Sequence, residues 1–76
     1  MSRMITTQLG IEIKAYRTRH NLNQIQFGKL CGVTRATVHR WEMEAARPSV
    51  AALMRLSEIL DEPLGDLFDK SGKSAV

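Results

Sequence analysis

The side chains of this 76-residue chain best suited to recognising another molecule concentrate in Gln24–Met43, QIQFGKLCGVTRATVHRWEM. Wound as a helix at ~100° per residue from Arg35 at 0°, Val38 and Trp41 fall near 300° and 240°. Arg35, His39, Met43, Ala36 and Arg40 fall between about 0° and 140° on the same wheel. One face is therefore apolar, and the other carries two arginines and a histidine with no acid among them. The second face suits the edges of base pairs. An arginine fork matches the O6 and N7 acceptors of guanine, and a small apolar residue such as Ala36 fits against a thymine methyl. Gln24 stands at the expected start of the preceding helix, where unpaired N–H groups and the helix dipole favour a phosphate. Its expected role is to position the protein without reading sequence.

For that face to be presented, two short helices must be locked together at a steep angle. Gly28 supplies a small residue where their backbones approach, and Gly32 supplies the turn, since glycine takes positive φ without a Cβ penalty. Phe27, Cys31, Val33, Val38 and Trp41 have the spacing to pack the pair. The rest of the chain reads as further short helices, with no strand pattern. A first helix runs from Thr7 to His20 with Leu9, Ile13 and Tyr16 on one face. Asn23 caps a second, Gln24–Cys31, whose expected buried side is Phe27, Leu30 and Cys31. Thr34 caps a third from Arg35 to Met43, and Ser49 a fourth, Val50–Leu60, with Val50, Leu53, Leu56, Ser57 and Leu60 inward. Pro63 begins a short fifth helix holding Leu64, Leu67 and Phe68. The expectation is an all-α, five-helix bundle forming a single domain over residues 1–76, with its core at 7–68 and a frayed, polar tail at 69–76.

Charge is divided along the chain. Met1–Trp41 holds seven basic residues against the single acid Glu12, a balance of +6, whereas Glu42–Val76 stands at −3. One half suits a polyanion and the other does not. No apolar run approaches the ~18 residues of a membrane span. The lone cysteine, Cys31, allows no internal disulfide and fits a reducing, cytoplasmic setting. His20, His39 and Cys31 lack metal-ligand spacing, no glycine-rich phosphate loop follows a strand, and no local motif makes a nucleophile of any serine. Neither a cofactor nor an enzymatic activity is expected.

From Leu9 to Phe68 the chain resembles the phage repressor and Cro-like (Xre-type) helix-turn-helix proteins. The resemblance rests on Leu9-Gly10, Ile13, Arg17, Leu22-Asn23-Gln24, Phe27-Gly28, Gly32-Val33-Thr34, Val38, Trp41-Glu42, Pro48, Leu53, Leu56, Leu60 and Leu67. It implies a lambda-repressor-like domain that binds double-stranded DNA, as a homodimer on a two-fold operator, and acts as a transcriptional regulator, a repressor above all. It also implies that Thr34 and Thr37 meet the DNA backbone or a base edge, and that Arg17 and Glu42 form an ion pair tying the first helix to the third. One departure stands out. Where the family has glycine two residues after the glutamate, followed by basic residues, this chain has Glu44, Ala45 and Ala46. Met43–Ala46 are good helix formers, so the third helix is expected to run a turn longer. Glu44 repels phosphate, which leaves Arg47 as the one contact candidate in that loop.

The expected DNA-contacting set is thus Gln24, Thr34, Arg35, Ala36, Thr37, His39, Arg40, Met43 and Arg47. The dimer surface must lie away from the basic half, on the last two helices, with Ile59, Pro63, Leu64 and Phe68 as candidates. An alternative is a protein-interaction module, such as the antitoxin of a toxin–antitoxin pair that also binds its own promoter. The apolar residues off the expected core (Met4, Ile5, Ile11 and Ile59) keep that reading open.

Overall fold

Side-chain oxygens set where the helices begin. The computed structural model describes residues 9–70 and contains α1 (Leu9–Arg19), α2 (Gln24–Cys31), α3 (Arg35–Glu42), α4 (Val50–Leu60) and α5 (Leu64–Phe68), with no strand among the described residues. Asn23 accepts from the N–H of Gln26 at 2.7 Å while the Gln26 side chain accepts from the N–H of Asn23 at 2.8 Å. This reciprocal box satisfies two donors at the entrance of α2. Thr34 caps α3 through the N–H of Thr37 at 3.2 Å, and Ser49 caps α4 through the N–H of Ala52 at 3.1 Å. All three caps fall where the sequence places them. Thr7, with which the first helix was expected to open, lies outside the described residues, as do Arg3, Met4, Ile5 and positions 71–76 of the tail.

The core is drawn from all five helices. Ile13 of α1, Phe27 of α2, Val38 of α3, Leu56 of α4 and Leu67 of α5 are fully buried, joined by Leu9, Cys31, Trp41, Ala52 and Leu53. Tyr16 packs edge-on against Phe27, with ring centroids 5.8 Å apart. Helix α2 packs on α3 and α4, α1 on α3, and α4 on α5.

Two expected core positions are solvent-facing instead. Leu30 is 46% exposed and Val50 is 64% exposed. On α2 the buried arc runs through Phe27, Cys31 and Gly28, because the chain entering α3 presses on the glycine side. Leu30 lies on the far edge of Phe27 from that contact. Val50 lies on the same edge of α4 as Ser57, which is itself only half-buried, and the burial moves to Ala52, Leu53 and Leu56.

The α2–α3 turn depends on its two glycines. Gly32 takes φ 76°, closing α2 with its N–H on the carbonyl of Gly28. At Gly28 a Cβ would sit 2.7 Å from the carbonyl oxygen of Val33, a backbone atom that cannot step aside. Gly65, in contrast, has nothing within 4 Å of its Cβ position and no positive φ. Gly28→Ala is therefore expected to cost about 1–3 kcal/mol by overpacking. Gly65→Ala is expected to be neutral or to stabilise by roughly 0.4–1 kcal/mol. Urea-denaturation midpoints of the two variants against the parent chain check this contrast.

Candidate nucleic-acid interface

Every residue of the α3 reading face is open to solvent. Val38 and Trp41 are buried at 0% and 4% exposure, while Arg35, Ala36, His39, Arg40 and Met43 are exposed. The wheel expected from sequence is therefore the observed one. Thr34 stands exposed at the head of the helix, its hydroxyl 3.1 Å from that of half-buried Thr37. The N-cap bond uses an acceptor pair of Thr34 and leaves this hydroxyl pair at the exposed entrance of α3. Arg40 lies back along its own helix, donating to the carbonyl of Ala36 at 3.3 Å. An exposed bond of that kind nets only about 0.5–1.5 kcal/mol, so a base edge competes with it readily. Arg47 is exposed in the loop between α3 and α4.

At the base of the reading face, three helices meet on one carboxylate. Glu42 accepts from Arg17 Nε at 2.6 Å and Arg17 Nη2 at 2.9 Å, and from Gln24 Nε2 at 3.1 Å. Arg17 also donates to the carbonyl of Leu22 at 3.1 Å, so its guanidinium braces the α1–α2 turn as well. Side-chain exposure is 15% for Arg17 and 7% for Glu42. Burial pushes the Glu42 carboxyl up, but hydrogen bonds from Arg17 and Gln24 and the charges of Arg17 and Lys14 outweigh it. The group is held below its ordinary value. The bond to Glu42 raises the Arg17 guanidinium in turn. Both partners stay charged at neutral pH.

Gln24 therefore has its side chain committed to Glu42, with His39 Nδ1 a further 3.5 Å from the same amide nitrogen. What its position leaves for a phosphate is backbone. Among the described residues, the N–H groups of Gln24 and Ile25 donate to nothing. They open α2 beside the turn into α3, where a helix N-terminus favours an anion.

The third helix does not run on. It ends at Glu42, and Glu44 takes φ 59°, the left-handed conformation that glycine adopts easily and a glutamate adopts at a cost. The N–H of Glu44 then reaches the carbonyl of Trp41 at 3.1 Å, and that of Ala45 the carbonyl of Arg40 at 2.8 Å. This pair of bonds is a Schellman closure made without glycine. Its side chain explains the choice: Glu44 Oε2 accepts from the N–H of Gly10 at 3.1 Å, capping the start of α1. A Cβ on Gly10 would lie 2.5 Å from the carbonyl oxygen of Trp41. A continued α3 would forgo this contact. The sequence signal was available only as a pair, a glycine opening one helix and a carboxylate just past the end of another.

Burial pushes the Cys31 thiol up to about 11, with the nearby charge of Arg55 opposing, so it is a protonated core thiol at neutral pH. Among the described residues, no three His, Cys, Asp or Glu side chains group to hold a metal, and no helix is long and apolar enough to cross a membrane.

A family model described as Helix-turn-helix matches residues 13–67. The chain belongs to that family, in its phage-repressor, Cro-like branch. Among solved structures it is similar to the P22 c2 repressor in complex with a synthetic operator. The two are 28% identical with a TM-score of 0.73, over 86% of this chain and 98% of that one. It is similar also to the solution structure of the P22 c2 repressor DNA-binding domain, 29% identical with a TM-score of 0.71, over 93% and 96% of the two chains. The SinR protein in its complex with SinI shares the fold at 23% identity and a TM-score of 0.66, over 91% of this chain and 68% of that one. No curated protein matches the sequence. The chain is a sequence-specific DNA-binding regulator with a lambda-repressor-like fold.

Removing Glu42 leaves Arg17 and Gln24 facing an empty site. Glu42→Ala is expected to lower stability by on the order of 2 kcal/mol, discounted from a fully buried pair because both ends reach solvent. Because its folded-state pKa is depressed, Glu42 contributes stability above the unfolded carboxylate value, and this is lost as pH falls through the folded one. Thermal melts from pH 7 down to pH 3 check both points: the gap between parent and variant should close at the acid end.

Proposed function

We propose that this chain is a single-domain, cytoplasmic transcriptional repressor without catalytic activity that binds a two-fold operator as a homodimer. The observation that carries the proposal is the α3 face. Arg35, Ala36, His39 and Arg40 stand together in solvent on a helix anchored by Val38 and Trp41, within the basic half of the chain, and exposed Met43 follows just past the end of that helix. In this reading α3 lies in the major groove, where Arg35 and Arg40 reach guanine edges and Ala36 and Met43 meet thymine methyls. Thr34, Thr37, Arg47 and the N-terminus of α2 at Gln24 hold the phosphates. Similarity to a repressor seen with its synthetic operator supports the assignment.

One recognition helix reads few base pairs, too few to select a site among many competitors. Pairing two copies across a two-fold axis places the readers ~34 Å apart, one turn of DNA. On the last two helices, outside the basic half of the sequence, Leu64 and Phe68 are 40% and 47% exposed beside exposed Pro63, with Ile59 half-buried. These four form the proposed dimer contact. The exposure of Leu64 frees it from the monomer core and favours this use. A second reading, a partner protein, is supported by Ile11, 61% exposed on α1.

Affinity for a cognate duplex is expected to fall steeply with salt, log K falling linearly with log salt as condensed counterions are released. Salt-independent binding would contradict a phosphate-held complex. Arg40→Ala is expected to lose ~1–3 kcal/mol and relax preference at one base pair, read by competition between duplexes. Stoichiometry on a short palindromic duplex checks the dimer. Two protomers per duplex are expected, and one at saturation would defeat it.

A further inference from the structure

The amide of Gln24 is oriented by a charge, and that orientation fixes what its neighbour presents. Glu42 is held by two bonds from Arg17 and is acceptor-only, so the Gln24 atom 3.1 Å from its Oε1 has to be the NH2 group. The reverse orientation would set two oxygens face to face. The same NH2 group lies 3.5 Å from His39 Nδ1. A donor facing Nδ1 pairs with the tautomer in which Nδ1 accepts and the ring proton sits on Nε2. Two groups are left over. Gln24 Oε1, an acceptor, and His39 Nε2–H, a donor, make no hydrogen bond among the described residues. One comes from the head of α2 and the other from the exposed face of α3.

An acceptor beside a donor is the complement of one base edge. Adenine shows an amino donor at N6 next to an acceptor at N7 in the major groove, whereas guanine shows two acceptors. Thymine and cytosine lack N7. We infer that Gln24 and His39 together read a single adenine, Gln24 Oε1 accepting from N6 and His39 Nε2–H donating to N7. The inference rests on the DNA-binding reading and adds a specificity role for the Gln24 side chain to the phosphate role of its backbone. Guanine at that position sets O6 against Gln24 Oε1, a repulsion the amide cannot relieve by turning over without losing Glu42.

The experiment uses the full chain at pH 7.5 and low salt. A randomised duplex pool is enriched on the protein, and the adenines of the preferred duplex are replaced one at a time by 7-deazaadenine, which lacks only the N7 acceptor. At one adenine per half-site this replacement is expected to weaken binding about three- to ten-fold, the worth of one hydrogen bond. His39→Ala is expected to bind the natural duplex more weakly by a similar factor and to be indifferent to 7-deazaadenine there. Gln24→Ala is expected to lose the preference for adenine over guanine at the same position. The inference is overturned if no adenine N7 matters to the parent protein, or if the 7-deazaadenine loss persists undiminished in His39→Ala. Failure to enrich any duplex would instead bring down the DNA-binding reading itself, and the inference with it. The first of these outcomes needs no variant, so a folding defect in either substitution cannot mask the answer.

Discussion

The Glu42 carboxylate is the point on which the geometry of this protein turns. Two helices send donors to it, Arg17 from α1 and Gln24 from α2, and the carboxylate itself stands on a third, α3. An ion pair of this kind adds little net stability compared with well-packed apolar residues, because both charges give up water. What it supplies is orientation. A bidentate guanidinium and an amide converging on two fixed oxygens tolerate only one relative placement of the helices that carry them. Apolar packing of Phe27, Val38 and Trp41 brings the same helices together but is less demanding about angle, since dispersion contacts are non-directional. The reading face of α3 inherits its aim from the polar junction and its stability from the core beneath it.

Much of this was legible from sequence because it depends on local chemistry. Asn23, Thr34 and Ser49 are caps by virtue of short side chains that reach the N–H groups ahead of them, and all three cap where expected. Gly28 and Gly32 follow from backbone approach and positive φ. The split of α3 into buried and exposed faces follows from helical period alone. The Arg17–Glu42 pair was available only through the family resemblance, since two charges 25 positions apart have no local signature. Leu30 and Val50 misled because periodicity places a residue on an arc but does not say how wide the covered arc is. Their neighbours in space, the entry to α3 and the half-buried edge at Ser57, decide that. Lys70 shows the same limit from the other side. It falls in a stretch whose composition reads as a frayed tail, yet its ammonium bridges Glu12 at 2.5 Å and Glu62 at 2.9 Å, 58 and 8 positions away.

The helix ends show how so small a chain holds its reader still. Asn21, Glu44 and Asp61 all take left-handed backbone at helix ends without being glycine, at a cost of roughly 1–2 kcal/mol each. At Glu44 the return is specific: a carboxylate at the start of α1 satisfies the N–H of Gly10 and meets the positive end of that helix's dipole, worth about 0.3–2 kcal/mol. The two terms nearly cancel, so the substitution of glycine by glutamate is no gain in stability. Its effect is mechanical. Helix α3 is fixed at its head by the Gly32 turn and the Thr34 cap, at its end by Glu42, and just beyond that end by Glu44. A helix tied only at its head could pivot on the core and blur the position of Arg40 and Met43, which lie furthest from the turn. Tied on both sides, it meets a base edge with little left to order, so less conformational entropy is lost when contact is made.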